Sequence, residues 1–155
     1  LEKIMTVSIL SYLKVYTPYA IIQATIPNSS MVDDELHCTE LCTLDNVTYL
    51  SVPDGVTLLE QPDEIELKPV ILSPELREQI KAASPHIQLI SELMIQKIRD
   101  RYSIDDEMFF SRIGVGAATG MYTPTASEMA DMQAFGEFIE SVRQWGRGER
   151  AKLGL

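Results

Sequence analysis

The sequence predicts an α+β protein, with a small antiparallel β module at the N-terminus and a C-terminal helical module of three to four helices. Three observations predict it. Residues 1–72 hold runs rich in Val, Ile, Leu and Tyr, separated by turn-forming residues. Residues 73–155 contain two Ser-Pro steps of the kind that open helices, the second followed by apolar residues at helical spacing. The charge balance shifts at the same place: 1–72 carries 3 bases and 11 acids, net −8, and 73–155 carries 10 bases and 12 acids, net −2. The expected division is therefore an acidic β-rich module over 1–72 and a helical module over 73–155.

The β elements follow in order. Thr6 to Tyr16 and Tyr19 to Ile26 have strand composition, and Pro27-Asn28-Ser29-Ser30 closes the second. Asp33-Asp34-Glu35 reads as a solvated acidic turn before a loosely alternating run from Leu36 to Thr43. Asp45-Asn46 tolerates left-handed backbone angles, so the Leu44 to Val47 junction is expected to be a hairpin leading into a strand over Val47 to Val52. Pro53-Asp54-Gly55 is a turn, Val56 to Leu59 a short strand, and Gln61 to Pro69 an extended linker.

The helices are signalled by their starts. Ser73-Pro74-Glu75 supplies a capping hydroxyl, a proline at the first helical position and an acid for the helix dipole, opening a helix to about Ala83. Ser84-Pro85 stops that helix and starts a second, to about Tyr102, whose apolar face is Ile87, Ile90, Met94 and Ile98, widened by Leu89 and Leu93. Ser103 caps a third over Ile104 to Ile113, with Asp105, Asp106 and Glu107 in its first turn. Gly114 to Gly120 reads as a flexible connection. Thr125-Ala126-Ser127-Glu128 has the form of a capping box and opens the longest helix, to about Gly146 or Arg150. Along it Met132, Phe135, Ile139 and Val142 keep a 3-4-3 spacing, the narrow stripe of a helix–helix seam.

Composition excludes several classes. A chain of 155 residues, 45% hydrophobic, is long and apolar enough to bury a core without metal or disulfides. A net charge of −10 disfavours binding to nucleic acid or an acidic membrane surface. No segment has about 20 continuous apolar residues, so no membrane span is expected. The apolar run Ile4 to Leu10 lacks the basic start and cleavage site of a signal peptide, so the expected site of synthesis is a reducing cytoplasm.

Few side chains form a chemical constellation. His37, Cys38 and Cys42 are the one cluster of soft ligand types. The second pair a zinc site needs is missing, and His86 is the sole other histidine. With strand alternation Cys38 and Cys42 share one face as small buried residues and His37 lies opposite. A cysteine nucleophile served by His86 is the enzyme reading; no Gly-x-Ser-x-Gly elbow accompanies it. Gly114 to Gly120 follows an expected helix, lacks Lys and is not followed directly by a helix, so it does not have a phosphate loop's context. Asp105-Asp106-Glu107 suits a helix N-terminus better than a calcium loop. Arg99, Arg101, Arg112, Arg143, Arg147, Arg150 and Lys152 have acids nearby and read as a mixed solvated surface. No catalytic residue, cofactor or metal is expected. Trp145, Phe135, Phe138 and Tyr122 are expected either to pack against Ile90, Met94 and Ile98 or to form a partner seam. The seam reading assigns Met132, Phe135, Ile139, Val142 and Trp145 to an oligomerisation or partner-binding helix over 126–147.

Two segments carry a family resemblance: Arg101-Tyr102-Ser103-Ile104-Asp105-Asp106-Glu107, and Arg143-Gln144-Trp145-Gly146-Arg147 with Lys152-Leu153-Gly154-Leu155. Together with Val47 to Gln61 and Ala82 to Ile90, they resemble small prophage and bacteriophage proteins of the tail region, encoded near tail-fibre genes. The resemblance implies no enzymatic activity and no functional residues. It implies a structural protein of the virion tail, made in the host cytoplasm, that binds other tail or fibre proteins; homo-oligomers are expected from the seam on the last helix. The alternative it implies is a cytoplasmic assembly chaperone or adaptor for the same subunits.

Overall fold

The computed structural model describes residues 6–27 and 38–155. The expected turn from Asn28, the acidic turn Asp33-Asp34-Glu35 and His37 lie outside them. The fold is α+β: β1 (Val7–Leu13), β2 (Val15–Tyr16), β3 (Ile21–Ile22), β4 (Thr39–Leu44), β5 (Val47–Pro53) and β6 (Lys68–Val70) precede α1 (Pro74–Ala83), α2 (Pro85–Arg99), α3 (Ile104–Thr119) and α4 (Ala126–Lys152). Two packing units divide the chain, one of Leu1–Leu89 with Glu149–Leu155, the other of Ile90–Gly148. The divisions thus fall inside α2 and α4, whereas residue 72 marks only the change of secondary structure. The physical reason is that Leu76 and Ile80 of α1, and Leu153 and Leu155 after α4, pack on the sheet's own core.

The β-rich unit is built on an antiparallel sheet of order β4-β5-β1-β6. The β4–β5 hairpin turns on Asp45 and Asn46, with φ of 49° and 69°, the left-handed pair that a tight hairpin needs. One face holds Ile9, Leu41 and Ile80, covered by α1. The other holds Tyr12, Leu50 and Ile65, covered by extended segments carrying Ile22, Ala24, Ile26 and Leu67. Gln61 ties these segments together. Its Oε1 accepts from Thr25 N at 2.8 Å and its Nε2 donates to Thr25 O at 2.7 Å, imitating a strand partner.

Several sequence expectations are corrected. Val56 to Leu59 is not a strand; the strand lies instead inside the expected linker, where β6 pairs with β1. Pro69 is tolerated there because β6 is an edge strand and needs no further donor. The run Tyr19 to Ile26 shrinks to the two residues of β3. A β-bulge between Glu40 and Cys42 makes Leu41 the extra residue of β4. That residue reverses the alternation, so Cys38 and Cys42 do not share a face. Gly114 to Gly120 is not a loop: α3 continues to Thr119 and ends at Gly120, whose φ of 73° suits glycine. A Cβ on Gly116 would lie 2.8 Å from Tyr122 Cβ, so glycine lets the chain fold back onto α3, where Tyr122 N donates to Gly116 O at 3.1 Å.

Candidate partner-binding face

The helical unit is assembled from caps and rings. Ser103 and Asp106 cap α3 reciprocally: Asp106 N donates to Ser103 Oγ at 3.0 Å and Ser103 N to Asp106 Oδ2 at 2.9 Å. Thr125 and Glu128 do the same for α4, at 3.0 and 3.1 Å, and Tyr122 adds a third bond, its hydroxyl donating to Glu128 Oε1 at 2.7 Å. These bonds hold the Glu128 carboxyl below its usual value, chiefly through Thr125 N–H, and raise the Tyr122 phenol. Tyr102 sits at the centre of the ring cluster, edge-on to Phe135 at 5.0 Å and to Phe110 at 6.1 Å, and tilted against Phe138 at 5.6 Å. Phe110 stacks on Phe135 at 5.0 Å, and Arg101 lies 4.7 Å over Phe138.

The five residues assigned to a seam on α4 fall in three places. Val142 is buried, and Trp145 is half-buried under the Lys97 ammonium, 4.5 Å from its ring. Met132 is half-buried, its Cε 3.4 Å from where a Cβ on Gly114 would stand. Phe135 and Ile139 line an open groove of ≈ 630 Å³ with Ile98 of α2 and Ile104, Met108 and Arg112 of α3. The 3-4-3 stripe therefore supplies packing within the helical unit, and two of its members also reach a surface.

The surface sequence reasoning missed is the outer face of α3. Ile113 and Phe110 point inward, Ile113 fully buried. On the opposite side Ile104, Met108, Ser111 and Val115 share one face at a 4-3-4 spacing, and all are exposed. Ile104, Met108 and Val115 are 60%, 48% and 63% exposed. The same spacing stands in the sequence, but a helix expected to end at Ile113 excludes Val115. Polar groups border the face. Glu107 is held by the Arg99 guanidinium in an ion pair. Asp105 and Arg112 are exposed on the other edge.

The β-rich unit also carries an exposed apolar element. Thr17 locks the β2–β3 turn, its N–H and Oγ1 both donating to Ala20 O at 2.9 and 2.8 Å. The turn displays Tyr19 and Tyr16 to solvent, with Leu13 and Ile21 beside them. The thiols of Cys38 and Cys42 are raised by burial, which holds them in the protonated, weakly nucleophilic form at neutral pH. His86 is exposed at the start of α2, and Cys42 belongs to β4. Among the described residues no three His, Cys, Asp or Glu side chains are placed to hold a metal, and no helix is long and apolar enough to cross a membrane.

No protein-family model, curated protein or solved structure matches the chain.

Proposed function

We propose that this chain is a structural component of a bacteriophage tail, a tail or tail-fibre associated virion protein that acts by protein–protein binding. The tail assignment rests on the resemblance of the segments around Arg101 to Glu107 and Arg143 to Leu155. One observation carries the binding: Ile104, Met108 and Val115 stand exposed together along one face of α3, beside a groove lined by Phe135 and Ile139. Large apolar groups gathered on one surface gain free energy when another protein removes them from water. The reading assigns the chain no catalytic residue and no cofactor.

Mass spectrometry of purified particles tests it. The chain is expected in stoichiometric amount with tail proteins. Its absence from particles, with abundance in the infected cytoplasm, replaces the virion role with that of an assembly chaperone or adaptor for tail-fibre subunits. A Cys38→Ala, Cys42→Ala double variant is expected to support particle assembly at the wild-type level; loss of assembly with the fold intact would favour the cysteine-dependent enzyme instead.

A further inference from the structure

The outer face of α3 is self-complementary, and we infer that its partner is a second copy of this chain, packed antiparallel along α3 about a two-fold axis. This deepens the protein-binding reading above and rests on it. The pattern sets the register. Place the axis level with the midpoint between Phe109 and Phe110, and reverse a second α3 against the first. Ile104 then stands opposite Val115 of the second copy, and Met108 opposite Ser111. The two most exposed apolar groups of the face thus lie at equal distances on either side of the axis and cover each other. The small Ser111 gives the longer Met108 room, the large-against-small alternation that lets helices approach to about 8–10 Å.

The charges obey the same axis. Asp105 and Arg112 are seven residues apart, two turns, so they lie on one edge of the face. In an antiparallel pair a two-fold axis sets that edge against its own copy. At 1.5 Å per residue, Arg112 lies about 4 Å to one side of the axis and Asp105 about 7 Å to the other. Reversal therefore brings Arg112 to within about 3 Å of the level of Asp105 in the second copy, and symmetry makes the pair twice. Neither side chain has an ion pair or hydrogen bond among the described residues, so both are open to form it. Glu107, on the other edge, is already neutralised by Arg99 and adds no repulsion. The opposite charges are what favour a second copy: the edge that a two-fold axis sets against itself carries both signs, so it meets itself with attraction at two places.

Sedimentation velocity on the full chain tests the pairing. The wild type is expected to be a dimer at roughly 100 μM, and Met108→Glu, which puts two carboxylates at the centre of the pair, to be a monomer there. Asp105→Arg and Arg112→Asp each set like charges together twice and should weaken the dimer about tenfold or more; the double reversal should recover most of that loss. All three positions are exposed, and far-UV circular dichroism checks that each variant is folded. A wild-type monomer, a dimer indifferent to Met108→Glu, or a double reversal no tighter than the singles would each overturn the inference. A monomer that is nevertheless found in particles refutes the pairing and leaves the tail reading standing; a dimer absent from particles does the reverse.

Discussion

The β-rich and helical units spend their apolar residues differently. The sheet is covered on both faces, and Leu41, Leu50 and Ile80 at its core are at most 1% exposed. In the helical unit the buried side chains of α3 and α4 are few, chiefly Ile113 and Val142, while Ile104, Met108 and Val115 face water. A sheet sandwiched between a helix and extended segments has no apolar face left over. Three helices around a ring cluster do, because each helix turns only one stripe inward. The difference teaches where to look for function: the first unit bares its apolar groups at a turn and in connecting segments, such as Tyr19 and Ile71, while its sheet stays covered, and the second lines them up along one helix.

The largest expected effect separates core from face. Leu41→Ala removes a fully buried side chain at the bulge and should cost about 2–5 kcal/mol in urea unfolding. Ile104→Ala trims an exposed one and should change the stability of the monomer by about 0.5 kcal/mol or less, measured well below the concentration at which copies pair. Comparable losses at the two sites would break the comparison, since Ile104 would then be supporting the fold rather than standing free of it.

Legibility followed the range of the interaction. The Ser73 and Ser103 caps, the Thr125–Glu128 box and the Asp45-Asn46 hairpin could all be read, because each is decided by residues within a few positions. The bulge at Leu41 could not, since an extra residue exists only relative to the partner strand β5. Nor could the strand at Pro69, whose fitness depends on its being the edge next to β1. The helical run through Gly114 and Gly116 was hidden for a similar reason: glycine weakens a helix locally, and what favours glycine at 116 is the return of Tyr122 six residues later. The α3 face was lost with that misplaced helix end.

Two glycines of the helical unit sharpen the comparison at a smaller scale. Gly136 of α4 has open space where a Cβ would stand, so Gly136→Ala should stabilise by about 0.5–1 kcal/mol through helix propensity alone. Gly116→Ala gains the same propensity but drives a Cβ to 2.8 Å from Tyr122 Cβ, an atom anchored to the backbone. Overpacking of about 1–3 kcal/mol should outweigh the gain and displace the Tyr122 turn. Thermal melts of the two variants should therefore move in opposite directions from the wild type. Movement of both upward would mean that the Tyr122 contact is loose, and that this unit is soft inside as well as bare outside.

The smallest effect is a pH dependence at the start of α4, where bonding between exposed groups does the work that burial does in the sheet. The Glu128 carboxyl is depressed by the Thr125 N–H and then by the Tyr122 hydroxyl. A depressed carboxyl contributes stability that is present above its unfolded value, 4.5, and is lost as pH falls through the lower folded value. The Tyr122 phenol is raised by its bond to Glu128, so its contribution is present below 10.0 and is lost as pH rises through the higher folded value. Glu128→Gln keeps an oxygen to accept both bonds and removes only the charge. Its stability should therefore fall less than the wild type's on acidification below 4.5, while at neutral pH the wild type should be the more stable. Tyr122→Phe should abolish this group's share of the alkaline loss and raise the Glu128 titration, measurable by NMR of the carboxyl carbon. Parallel acid limbs for the wild type and Glu128→Gln would show that the box does not hold the helix start, and that α4 is ordered by its rings alone.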